Sequence, residues 1–345
     1  MAYFTEPDDN DRASESHTNS LSPAPDGTAQ TMKLKIYIPI FAFCLLAAAE
    51  GLAVQGAYAK GLRSPVTDRP EKEELPLPVV PDTLRTPAER AGYIVTHFWD
   101  AMNFKDSRRA GDRDFMEQNF ANFVSLFPLC DTTVLKPAVG QLWKRAESSR
   151  MASLLLADTA EKYLYETASP FASEPFYQLF LEQMVHSPAL SDYSRIRYGY
   201  QLEAVRKNQP GMPAADFDYV TREGSPATLY RTPVRQQLLL LFFDPDCDHC
   251  RETLDMLKES PDITAAVTAG TLDILAVYSG DDRELWEETV APLPAAWTVG
   301  INEGSIYDTE SFVLRSMPTL YLLDRDKRVV LKNIRPENLT EELFP

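Results

Sequence analysis

The sequence predicts an α+β chain in which an all-helical region precedes an α/β region, and three observations lead there. From Thr86 to about Lys207, apolar residues recur at helical spacing. After Asn208-Gln209-Pro210-Gly211, apolar runs of strand length alternate with helix-like segments. Within that second region the unbroken run Leu238-Leu239-Leu240-Leu241-Phe242-Phe243 ends just before Cys247-Asp248-His249-Cys250, which opens the helix-like stretch Arg251 to Lys258. A dithiol therefore stands at a strand-to-helix turn. A chain of 345 residues exceeds one small domain, so two folded units plus processing segments is the expected organisation.

Residues 1–31 are rich in Asp, Ser, Thr and Asn and would bury no core. They read as a disordered extension, or as residues ahead of a true start at Met32. Residues 32–59 read as a signal peptide: Lys33 and Lys35 supply a positive end, Ile36 to Ala49 an apolar stretch broken only by Pro39, and Ala57-Tyr58-Ala59 an exit site. Left uncut, the same segment becomes a membrane anchor. The uncharged run is short beside the roughly 20 residues of a spanning helix, which favours cleavage. Cys44 follows Phe43 where a lipidated cysteine wants a small residue before it. Export implies a periplasmic or cell-envelope location, where disulfides persist. Residues 60–84 carry Pro65, Pro70, Pro76, Pro78 and Pro81 among charges and read as an extended linker with no core of its own.

The helical domain spans residues 85–207. Thr86-Pro87-Ala88-Glu89 is a strong helix start, with a capping Thr, Pro at the first helical position and Glu at the third. Ile94, Phe98, Ala101 and Met102 share one face of this helix; Phe115, Phe120, Phe123 and Leu126 define a second; Leu142 to Ala146, Met151 to Tyr165, Phe176 to Val185 and Tyr193 to Val205 give the rest. The many aromatics here, Phe98, Trp99, Tyr163, Tyr177 and Phe180 among them, read as interhelix packing rather than a ligand groove. His97 and His186 are lone histidines without metal-spaced partners.

In residues 208–345 the expected strands are Phe217 to Thr221, Gln237 to Phe243, Leu272 to Ser279, Thr298 to Gly300, Thr319 to Asp324 and Val329 to Asn333. Helices are expected over Cys247 to Lys258, Asp282 to Thr289 and Ser305 to Leu314. A cysteine at a helix N-terminus sits near unpaired N–H groups and the positive end of the macrodipole, both of which favour the thiolate that attacks disulfides. Cys250 is close enough in sequence to close a disulfide with Cys247 and resolve a mixed intermediate. Cys130, in Phe127-Pro128-Leu129-Cys130, reads as a buried apolar thiol.

These residues resemble a family, the thioredoxin fold, and within it the secreted TlpA/ResA-like thiol-disulfide oxidoreductases. The resemblance covers about residues 210–345. Ala215-Asp216-Phe217 resembles the family's opening strand, Phe242 to Cys250 its strand and C-x-x-C turn, Leu272 to Val277 its second core strand, and Ser316-Met317-Pro318-Thr319-Leu320 its cis-proline strand. It implies a central mixed sheet, a cis bond at Pro318, and a Met317 backbone that offers its N–H and C=O to an extended substrate. The helical region resembles an uncharacterised module found ahead of such domains in secreted bacterial proteins. Three positions differ from the family pattern. Asp246 replaces an aromatic before the first cysteine, and Leu241 and Thr253 stand where buried acids are usual. A carboxylate about 6 Å from the thiolate, at an effective dielectric near 40, opposes its ionisation by roughly 1.4 kcal/mol, so Asp246 and Asp248 work against the dipole. His249, if protonated between the cysteines, works with it.

The function expected is disulfide exchange with protein substrates, Cys247 attacking and Cys250 resolving, with His249, Asp246, Asp248, Met317 and Pro318 shaping the site. Partners are protein dithiols or disulfides and a further redox protein. No cofactor is implied, and Cys247, His249 and Cys250 lack the second donor pair that a metal needs. The alternative is a redox-inactive thioredoxin-fold scaffold whose helical domain recognises a partner. The net charge of −17 argues against nucleic acid, since phosphate binding needs clustered Lys and Arg.

Overall fold

The structure, a computed structural model, describes residues 73–344. The expectations for residues 1–31 and 32–59, and the first part of the linker, lie outside the described residues. Among the described residues no helix is long and apolar enough to cross a membrane.

Among the described residues, seven helices come first: α1 Pro87–His97, α2 Ser107–Ala110, α3 Arg113–Val124, α4 Thr132–Ala146, α5 Arg150–Leu164, α6 Glu174–Met184 and α7 Asp192–Arg206. α1 begins as its sequence dictates. The Thr86 hydroxyl accepts from the Glu89 N–H at 3.2 Å while the Glu89 carboxylate accepts from the Thr86 N–H at 3.0 Å. The helix stops sooner than expected, so Phe98 and Met102 reach the core from turns beyond it and Ala101, predicted on the same face, is exposed. α4 starts well before the expected Leu142, because Pro137 inside it breaks the periodic pattern and lacks an N–H to donate. The aromatics do pack. Phe127 meets Phe123 edge-on at 4.9 Å and Phe176 at 5.3 Å, and Phe120 meets Phe180 at 5.3 Å. Tyr193 and Tyr200 are the exceptions, exposed along α7.

The end of the Pro-rich stretch is not free of the core, as the sequence suggested. Leu75 is buried and its N–H donates to Asn119 Oδ1 at 2.8 Å, while Asn119 itself is buried on α3 and donates to the Phe115 carbonyl. A polar side chain inside the bundle thus satisfies a backbone group that would otherwise be stranded. Cys130 is only half-buried; burial and the neighbouring Asp131 raise its pKa.

The second region holds β1 Asp218–Thr221, β2 Pro226–Thr228, β3 Gln237–Phe243, α8 Asp248–Glu259, α9 Pro261–Ala269, β4 Leu272–Tyr278, α10 Arg283–Val290, β5 Thr298–Ile301, α11 Ser305–Thr309, β6 Thr319–Asp324, β7 Val329–Lys332 and α12 Leu339–Leu343. The sheet is mixed, in the order β2-β1-β5-β4-β3-β6-β7. β3 lies at its heart, parallel to β4 and antiparallel to β6. Leu239, Leu241 and Phe243 pack into the cluster formed with α8, α9 and α10, while Leu238, Leu240 and Phe242 pack against Phe217, Tyr219 and Phe312 on the other face. Burial on both faces explains why this strand reads as a continuous apolar run rather than an alternation. On β5 a side chain at Gly300 would place its Cβ 2.3 Å from Tyr219 Cδ2, so only glycine lets the β1 ring lie there.

Three differences from expectation have local causes. α11 ends at Thr309, not Leu314, because Glu310 turns left-handed at φ 46°, and Phe312 then packs on the sheet from a loop. β7 ends one residue early, at Lys332, where Asn333 takes φ 55°. α9 was not anticipated, although Ser260 caps it, Pro261 opens it and Gly270 closes it at φ 77°.

The two regions are joined by buried charge. Glu174, at the start of α6, receives Arg315 at 2.9 Å, Asn333 at 3.0 Å and Lys332 at 2.7 Å, with the Glu174, Arg315 and Lys332 side chains 10%, 19% and 8% exposed. The Arg315 guanidinium also lies 3.8 Å from the Tyr165 ring centroid and donates to the Tyr165 carbonyl. Burial pulls the Lys332 ammonium below its usual pKa, against the pull of Glu174. Removing the carboxylate leaves two cations without their partner. E174A should therefore lower stability by about 3–5 kcal/mol, read as the midpoint shift in urea unfolding of the full chain.

Candidate functional site

Cys247 occupies the N-cap of α8, with φ −90° and ψ 117°. Its sulfur accepts from the Cys250 N–H at 3.3 Å, the place normally taken by a Ser, Thr or Asp oxygen. The sulfur thereby meets an orphan donor at the helix start. The turn that delivers it is short. Asp244 accepts from the Asp246 N–H through its side chain at 2.9 Å and from the Cys247 N–H through its carbonyl at 3.1 Å, and so folds the chain from β3 into α8.

The two sulfurs have different surroundings. Cys247 is half-exposed, whereas Cys250 is fully buried in the cluster that holds Leu241, Leu254 and Leu320. Burial pushes the Cys250 thiol up to about 12, partly offset by the Asp244 N–H that donates to its sulfur at 3.4 Å, with Cys247 and the Asp244 charge adding to the rise. Both cysteines are free thiols. Leu241 and Thr253 confirm in space what their types imply. Leu241 faces the apolar cluster, and the Thr253 hydroxyl donates to the His249 carbonyl at 2.7 Å, so neither supplies an acid behind Cys250. The carboxylate of Asp244 acts on Cys250, raising its pKa.

Met317 and Pro318 are brought to the dithiol. Their peptide bond is cis, and the Met317 carbonyl lies 3.6 Å from the Cys247 sulfur, which donates to it as a thiol. Asp246, Asp248 and His249 stand instead on the rim. His249 is 83% exposed at its side chain and pairs with Glu252 at 3.3 Å, so the ring does not lie between the cysteines as the sequence suggested. Asp248 pairs with Arg251, which also donates to the Pro245 carbonyl at 2.6 Å. Sequence reasoning missed Arg251, whose charge offsets one of the two aspartates. The i to i+3 spacing of Asp248 and Arg251 was the signal available.

Beside the dithiol lies a cleft of about 860 Å³. His249, Glu252 and Met256 of α8, Met317 and Pro318 line it, and so do Thr167, Ala168, Ala172, Ser173, Glu174 and Pro175 of the helical region. No sequence signal pointed to that last contribution.

Residues 53–208 match the family described as Domain of unknown function (DUF5106). A thioredoxin-like protein from Bacteroides caccae is 29% identical, with a TM-score of 0.73 over 79% of this chain and 98% of that chain. A conserved protein of unknown function from Bacteroides fragilis is 39% identical over 39% of this chain and 98% of its own, with a TM-score of 0.37. A thiol-disulfide oxidoreductase from Bacteroides fragilis is 21% identical over 38% of this chain and 97% of its own, with a TM-score of 0.34. No curated protein matches the sequence.

The asymmetry of the two sulfurs has a measurable outcome. Native reduced protein treated with iodoacetamide near pH 8 should be alkylated at Cys247 and not at Cys250, which reacts only on unfolding; peptide mass mapping reads this directly. Stability should follow the same group. Because the folded pKa of Cys250 lies above the ordinary 9.0, the folded state keeps its advantage below pH 9 and loses it as the pH climbs towards about 12. Urea midpoints for the reduced protein should fall across that window, and more weakly so in C250A.

Proposed function

We propose, from the premise that this chain is a thioredoxin-fold protein with a DUF5106 helical domain ahead of its sheet, that the Cys247–Cys250 pair exchanges disulfides with protein substrates. The observation that carries the reading is the position of the Cys247 sulfur, capping α8 at 3.3 Å from the Cys250 N–H and facing the carbonyl of Met317.

The Cys247 thiolate attacks one sulfur of a substrate disulfide. The S–S bond breaks, a mixed disulfide forms, and the second substrate sulfur leaves as a thiolate. Cys250 then loses its proton and attacks the Cys247 sulfur, which frees the first substrate thiol and leaves Cys247 and Cys250 joined. The substrate gains two electrons and two protons, and the dithiol gives them up. Burial in apolar surroundings and the Asp244 charge both hold the proton on Cys250, and the departing substrate thiolate is the base that takes it, which slows the resolving step. A further dithiol or disulfide protein must reset the pair. The leader-like pattern from Lys33 to Ala59 supports action outside the cytoplasm, in the periplasm or cell envelope, where substrate disulfides form.

A redox-inactive scaffold is the competing reading, and the acidic turn of Asp244, Asp246 and Asp248 favours it. Serine variants separate the two. C247S should abolish reduction of insulin by the full-length protein in the presence of dithiothreitol, while C250S should accumulate a Cys247-linked mixed disulfide visible on a non-reducing gel. Unchanged insulin reduction by C247S would overturn the assignment.

A further inference from the structure

The cleft beside the dithiol is not built by the thioredoxin-like part alone, since Leu164, Thr167, Ala168, Ala172, Ser173, Glu174 and Pro175 of the helical domain also line it. We infer that the helical domain supplies one wall of a groove that seats an extended polypeptide segment, the one flanking the cysteine that Cys247 attacks. The inference rests on the redox reading above and assigns the helical domain a share in substrate choice.

The groove and the reactive turn share His249 and Met317. The Met317 carbonyl faces the Cys247 sulfur, and Met317 lines the groove with Pro318 and His249 of α8, so the residues adjoining a chain bonded to that sulfur lie within reach of it. The opposite wall is fixed rather than loosely apposed. Glu174 binds Arg315, Lys332 and Asn333, Arg335 donates to the Ser169 carbonyl, and Arg315 covers the Tyr165 ring. Moving the wall would strip a buried carboxylate of its cations.

The surface so held is made of small, exposed residues: Thr167, Ala168 and Ala172. Small side chains leave width between this wall and α8, within a cleft of about 860 Å³. Its charged lining residues are of both signs, Glu174, Glu252 and Glu337 with Arg315, Lys332 and Arg335, which suits a polar polypeptide better than an anion or a fatty chain. Asp246 and Asp248 at the reactive end disfavour acidic residues next to the target cysteine.

The test widens a side chain on the helical wall and compares two disulfides on one protein preparation. One probe is Ellman's reagent, which needs only the sulfur. The other is a cysteine peptide of about ten residues, roughly 30 Å when extended, carried as its mixed disulfide with thionitrobenzoate. In A172W and A168W the ratio of kcat/KM for the peptide to that for Ellman's reagent should fall about tenfold, through KM, and A172S should keep the wild-type ratio. Because the ratio is taken within a preparation, partial misfolding does not move it. A ratio unchanged in both tryptophan variants overturns the groove and leaves the redox reading standing. A wild-type protein that reacts with neither probe overturns the redox reading and the groove with it.

Discussion

A helix beginning at the end of a buried strand must satisfy its first N–H groups, and here a sulfur does so. The Cys247 side chain accepts from the Cys250 N–H, so the residue that could attack a disulfide is also the one that starts α8. Reactivity and architecture therefore share one hydrogen bond. β3 makes this possible. With six of its seven residues buried, it holds the end of the strand rigid in the core, and the Asp244 turn has little freedom in where it delivers the cysteine.

The second organising feature is the carboxylate of Glu174. It lies on the helical domain yet its cations belong to the loop before Met317 and to the last strand of the sheet. An ion cluster of this kind contributes little net stability compared with an apolar contact, but its directionality fixes geometry. Arg315 stands two residues before Met317, so the carbonyl that faces Cys247 is held in register with α6 across the domain boundary.

Much of the site was legible because it obeys local rules. The bounds of β3 and β6 could be read from uninterrupted apolar runs, and the start of α1 from its capping box. The dithiol and the cis bond before Pro318 followed from motif spacing and resemblance. What was missed has no local signature. α9 is built of Ala, Thr and Val with little polar contrast between faces, β2 is only three residues long, and Pro137 conceals the stretch of α4 before Leu142. Arg315 and Glu174 are 141 residues apart, and neither position shows anything unusual until the fold brings them together. His249 was misplaced for a related reason: its position in the motif fixes it on the first turn of α8, but only the helix phase decides that its ring points outward to Glu252.

The burial of Cys250 also bears on chemical damage. Peroxide attacks thiolates that solvent can reach, and Cys250 is neither ionised at ordinary pH nor exposed. A sulfenic acid would therefore form at Cys247, one helical turn from an intact thiol. Condensation of the two expels water and yields the disulfide, which a dithiol can reduce again. The sheltered cysteine would thus keep the exposed one from passing on to the sulfinic and sulfonic states, from which there is no ordinary return.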